Sequence, residues 1–529
     1  MLATAARLAI TTGIATPKIA HHPKVRLRFF PNLPSMSSPR LLVLACVLVW
    51  AGHMCRAQSS GVTKVPASDK TASILFGDAK SLPPEFAADI VLQVAENDVS
   101  LTARQKIRAL KGAFDEAAQG QDDVLRMPWG MSVEETSEGL HALALMTGRL
   151  DRISQQARAV QDMAEIDPKL AKAEVEIMAL PRLDPPPCRA NWVYLPDAYY
   201  VAVASVMRAG FSPEEISSGQ REEFLRSVVS SVVSHSQLPP VTRLITASDL
   251  AGTELADVIP TYVHLLDSLR GDAHSFYFAA SQQLVDAFVA LVARLDKQGT
   301  GVLPLITSFR GYLVANFKTA PCVPFNAHYG KLPPAVQEFN DSFSNRLKSA
   351  GLGIITDEEI KNDAKDSLPT EREPTRWKSK DMSDLTLSLQ KLPDMSKESK
   401  SAEAKYREYL LQLDAWSNQS EPEIEFFHQK SILYMGVIQR LPASTIRTNA
   451  LMNFVKFLEQ DSYQQVSRVD WFLYTGRLLA ISTEPIERSE VMNALISSSD
   501  PVLNLYGRLE LWKSTHTAKH GLTRTGHKH

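Results

Sequence analysis

Helix-start signals recur along this chain, and they constrain its fold more than any other feature. Ser212-Pro213-Glu214-Glu215 combines two of them. A hydroxyl can cover a free amide while a glutamate reaches back, and proline sits at the first helical position, where its missing N–H costs nothing. Ser132-Val133-Glu134-Glu135 and Thr356-Asp357-Glu358-Glu359 repeat the capping box. Asp167-Pro168 and Asp500-Pro501 repeat the proline start, and Ser420-Glu421-Pro422-Glu423 adds another. Strand signals are few. The pattern predicts an all-α chain: a multi-helical main domain, then a C-terminal region of helical hairpins, solenoid-like or a bundle.

Periodicity fills in the helices. Phe86, Ile90, Val91 and Val94 share one face, Ile107, Leu110, Phe114 and Ala117 another, and Asn97-Asp98 separates them as a helical hairpin would. Phe224-Leu225, Val228-Val229 and Val232-Val233 repeat every four residues, which predicts one helix from Pro213 to about His235, ended by Leu238-Pro239-Pro240. Phe276 to Leu295 is apolar nearly all round, the pattern of a central helix surrounded by others, and Val302–Phe317 reads as the next one.

The remaining boundaries follow from composition. Residues 1–35 contain no acid and carry Arg7, Lys18, Lys24, Arg26 and Arg28, and they read as an extension upstream of the true start. Residues 36–57 have the layout of a signal peptide: Arg40, an apolar run from Leu41 to Ala51, and Ala57 before Gln58. That run is shorter than the ~20 apolar residues a bilayer span requires. Residues 58–84 read as a linker with one apolar patch, Ile74-Leu75-Phe76. Residues 85–360 form the main helical domain and 361–401 a charged linker. Residues 402–515 form the C-terminal helical region, and 516–529 a disordered tail.

A signal peptide places the mature chain in the periplasm or outside the cell, an oxidising compartment. Of four cysteines, Cys46 and Cys55 leave with the signal peptide. Cys188 and Cys322 both lie in proline-rich loops, and the compartment predicts a disulfide between them, with two buried thiols as the alternative. A formal charge of −2 gives no support for general nucleic-acid binding, which calls for a strongly basic face. No second apolar span follows, so no integral membrane anchor is expected.

Two groupings could carry chemistry. His264 and Asp267 lie one helical turn apart, and Asp272 and His274 follow; together they could hold a divalent transition metal and activate water. The alternative is a solvated helix end. The second grouping would form if the two cysteine loops meet. Asn191, Trp192 and Tyr194 from one, with Asn326 and His328 from the other, suit a ligand that rings stack on and amides bond to. No nucleotide-binding glycine loop, HExxH pair or nucleophile elbow is present, and no other cofactor is expected. The expected function is therefore an exported binding or scaffold protein of the cell envelope, holding a protein or peptide partner in helical grooves. The alternative is an envelope-polymer hydrolase, with or without a metal.

Overall fold

The computed structural model describes residues 70–524, except 129–136, 179, 181–182, 186–191, 270–274, 278, 280–282, 320–331, 362–379, 396–398, 419–421 and 460–465. Ser132, Cys188, Asn191, Asp272, His274, Cys322, Asn326, His328 and Ser420 lie outside the described residues, as does all of 1–69. The described residues hold twenty-two α-helices and two three-residue strands, so the all-α expectation is met. No described helix is long and apolar enough to cross a membrane.

The first part of the fold runs α1 (Lys70–Ala79), α2 (Pro84–Asn97), α3 (Ala103–Ala117), β1 (Arg126–Pro128), α4 (Ser137–Gly148), α5 (Arg152–Ile166), α6 (Pro168–Ile177), β2 (Trp192–Tyr194) and α7 (Asp197–Ala209). The second runs α8 (Pro213–Ser217), α9 (Gln220–Ser230), α10 (Leu238–Ala247), α11 (Gly252–Ser268), α12 (Leu284–Lys297), α13 (Leu303–Thr319), α14 (Pro334–Ser349) and α15 (Asp357–Ile360). The third runs α16 (Lys380–Gln390), α17 (Ser399–Ala415), α18 (Glu423–Arg440), α19 (Thr445–Leu458), α20 (Arg468–Ile481), α21 (Pro485–Ser497) and α22 (Pro501–Arg524). Residues 67–529 cluster as one compact unit.

Stacking is serial. Helix α3 packs on α5, α5 on α7, α7 on α10, α10 on α12 and α12 on α14, while α9, α11 and α13 stack beside them. One apolar cluster extends from Leu92 to Ile360 through these helices. At its heart Phe288 stacks on Phe309 at 3.9 Å, and Tyr312, Phe276 and the buried His235 continue the aromatic contacts. In the third part α17, α19 and α21 stack in the same way.

The sequence signals hold at several helix starts. Ser212 accepts from the Glu215 amide while Glu215 accepts from the Ser212 amide, and Asp167 and Asp500 each cap the helix that follows. Four expectations change. The helix predicted from Pro213 to His235 breaks at Gly219, whose φ of +79° ends α8, and α9 ends near Ser230. Leu238-Pro239-Pro240 opens α10 instead of closing the preceding helix, because prolines in a first turn lose no hydrogen bond. The run read as one central helix is interrupted at Gln283 before α12 restarts. The Ile74-Leu75-Phe76 patch is helical, with Leu75 buried and Ile74 exposed. In addition α16 lies within the stretch read as a charged linker, burying Met382 and Leu385, and α22 continues through Arg524.

Several helix C-termini are also closed from outside. Arg294 of α12 donates to the carbonyls of Ile245, Thr246 and Leu250 at the end of α10, at 2.7–2.9 Å. Arg310 of α13 reaches the Gly353 carbonyl and Glu359, and Arg447 of α19 reaches the carbonyls of Leu441 and Ile481. Lys430 donates to the Trp416 carbonyl at 2.6 Å and to that of Asp414 at 3.2 Å. A cation at a helix C-terminus satisfies orphan carbonyls and opposes the negative end of the helix dipole. These contacts bind one helix pair to the next.

Candidate functional site

The two strands are the exception in a helical protein, and they carry the site. β1 and β2 run antiparallel, with Arg126 opposite Tyr194, Met127 opposite Val193 and Pro128 opposite Trp192. Alternation puts Arg126, Trp192 and Tyr194 on one face of this ribbon and Val193 on the other. Val193 is fully buried, so the Arg126 face is the outer one, and its three side chains are half-buried. The Arg126 guanidinium carbon lies 4.7 Å from the centre of the Trp192 ring, within cation–π range, and Trp192 meets Tyr194 edge-on at 4.9 Å.

A charged bridge holds the ribbon's surroundings. α4 packs on both strands and on α20. From α4, His141 places Nδ1 2.8 Å from Asp470 of α20 and Nε2 3.0 Å from Asp122 in the loop before β1. Burial alone would lower the pKa of this imidazole. Hydrogen bonds to both carboxylates, and their charge, outweigh that and raise it to about 10, so His141 is a cation at neutral pH. Burial pushes Asp122 up, but the hydrogen bond and charge of His141, with Arg126 nearby, bring it below the usual carboxylate value. Asp470 moves the other way: burial raises it despite the imidazolium, since its side chain is only 2% exposed. The attraction is therefore read from His141 and Asp122, and the desolvation cost from Asp470.

The loop that carries Asp122 is fixed on its other side. The carbonyls of Asp122 and Asp123 accept from the amides of Arg152 and Ile153, and Arg152 Nε donates to Asp123 at 2.8 Å. Asp151, fully buried, caps α5 through the Ser154 amide, and burial lifts its carboxyl to about 6 against the pull of those hydrogen bonds. Leu195 donates to the Leu125 carbonyl and extends the ribbon. The side-chain anchors lead back to α4, α5 and α20.

The residues expected from sequence are placed as follows. Trp192 and Tyr194 stand together on the ribbon. His264 and Asp267 both lie exposed on α11, and Asp267 accepts from Ser308 Oγ at 2.8 Å. Among the described residues no group of three histidine, cysteine, aspartate or glutamate side chains is arranged to hold a metal ion. The Asp122–His141–Asp470 bridge escapes any spacing rule, because 19 and 329 residues separate its partners. Its local signals are a histidine on the apolar stretch Leu140–Ala144 and an aspartate between Val469 and Trp471. No protein-family model, curated protein or solved structure matches the chain.

Proposed function

We propose that this chain is an exported helical binding or scaffold protein of the cell envelope that holds a protein or peptide partner. The observation carrying this reading is the outer face of the β-ribbon, where an arginine stacks on a tryptophan beside a tyrosine. Arginine, tryptophan and tyrosine are the residues most enriched where proteins dock, since they combine large area with few rotatable bonds. The ribbon sits on α4, which is tied to α20, so such a face is presented rigidly. Export rests on the signal-peptide layout of residues 36–57.

A photo-crosslinking residue at Tyr194, in full-length protein produced in its native host, tests the reading. The expected product is one adduct of fixed mass in the extracytoplasmic fraction, reduced by Trp192→Ala. A diffuse spread of adducts unaffected by Trp192→Ala, or none, would refute it.

A further inference from the structure

The guanidinium of Arg126 stands out among the cations of this protein. Arg294, Arg310, Lys430 and Arg447 end on backbone carbonyls or carboxylates. The Arg126 guanidinium makes no hydrogen bond with any described residue, and its Nε, like that of Arg447, is shut away from water. Its two terminal nitrogens are bonded to no described residue and are not sealed as Nε is, so an arriving acceptor can reach them. Asp122 interacts with Arg126 through charge but makes no hydrogen bond to it, and its Oδ1 pairs with His141 Nε2 at 3.0 Å.

From this geometry, and resting on the reading of the ribbon as a docking face, we infer that Arg126 anchors a carboxylate of the partner, an Asp or Glu side chain of a bound peptide. The Trp192 ring holds the guanidinium plane before anything binds, which reduces the ordering cost of a two-pronged carboxylate contact. Charge selects the ligand further. Arg126 and His141 balance Asp122 and Asp470, and Arg152 balances Asp123 on the same loop, so these charged groups together are near neutral. A single negative charge is accommodated there, whereas a doubly charged phosphate meets repulsion from Asp122. Trp192 and Tyr194 then offer their rings to an apolar or aromatic residue adjacent to the acid.

Selection of a phage-displayed random heptapeptide library on the full-length protein, followed by fluorescence-polarisation titration of the best peptide, tests this. Enriched peptides are expected to carry Asp or Glu next to an apolar or aromatic residue. Affinity should fall at least ten-fold in Arg126→Gln, and equally when the peptide acid becomes its amide. The two changes combined should cost little more than either one. Arg126→Lys, which keeps the charge and the stacking but loses the planar fork, should lie between. Peptides whose binding ignores both Arg126→Gln and acid-to-amide exchange would overturn this inference while leaving peptide binding intact. Stronger competition by millimolar inorganic phosphate than by acetate would also overturn it. Enrichment of no peptide at all would overturn the docking reading as well.

Discussion

Replacing His141 by alanine tests the bridge that carries the ribbon. The substitution removes a cation and leaves Asp470 sealed in the interior opposite Asp122. Raising an imidazole from 6.5 to about 10 corresponds to a gross attraction on the order of 5 kcal/mol, at about 1.4 kcal/mol per unit. The burial of Asp470 opposes part of it, and breaking a buried pair from one side costs about 3–5 kcal/mol. We therefore expect about 3 kcal/mol, roughly a hundred-fold loss of protection in hydrogen exchange for peptides covering α4 and α20. The pH dependence has a definite sign. His141 titrates higher in the folded protein, so its contribution is complete below about pH 6.5 and fades as pH rises toward 10. On the acid side, Asp122, held below its ordinary value, loses its contribution only as pH falls through the carboxylate range. The wild-type advantage should thus be large at pH 6 and small at pH 9.5. Adding Asp470→Asn to His141→Ala should restore at least ~1 kcal/mol by removing the uncompensated charge. A difference between wild type and variant that does not change from pH 6 to 9.5, or no recovery in the double variant, would refute the reasoning.

Three further outcomes follow from groups elsewhere. Glu338 shares a hydrogen bond with Asp286, and that bond, burial and like charge raise it to about 7; its stabilising protonated form is complete below pH 4.5 and lost through pH 7, so Glu338→Gln should raise the thermal midpoint at pH 8 and leave it unchanged at pH 4.5. Burial lowers Lys430 to about 8 despite the pull of Asp414, so the wild type should gain on Lys430→Met between pH 8 and 10.5, by up to about 3 kcal/mol in urea titrations. Tyr506 donates to Asp89 at 2.6 Å, and Asp89 also pairs with Arg158, so Tyr506→Phe should cost about 1.5–3 kcal/mol, seen as faster exchange in α2 and α22.

Local chemistry was legible in the sequence, and long-range chemistry was not. The caps at Asp167, Ser212 and Asp500 act within three residues, so reading the chain in order finds them. The capping box of Thr102 and Gln105 follows the same rule and was equally readable. Proline is ambiguous by nature: Leu238-Pro239-Pro240 can end one helix or begin another, and only the partners of α10 decide. Arg294 looks like an ordinary polar-stripe residue until the end of α10, more than 40 residues upstream, is brought against it. Of the candidate site, the aromatic pair Trp192 and Tyr194 was readable as a platform. The arginine laid on it comes from the other strand, paired by register with Tyr194, 68 residues further on, and spacing carries no trace of that.

The contact between Tyr506 and Asp89 has a consequence for biosynthesis. The two residues are 417 apart, and Arg508 and Asp78, which also pair, are 430 apart. At about 5–20 residues per second, some 20–80 s of translation separate the partners. Throughout that interval the face of α2 that carries Phe86 lacks Phe472 and Tyr506, the rings it finally packs against. A helix near the start of the described residues is completed by one near their end. A nascent or prematurely terminated chain therefore presents an uncovered aromatic face, the kind of surface that chaperones bind and that aggregation begins from.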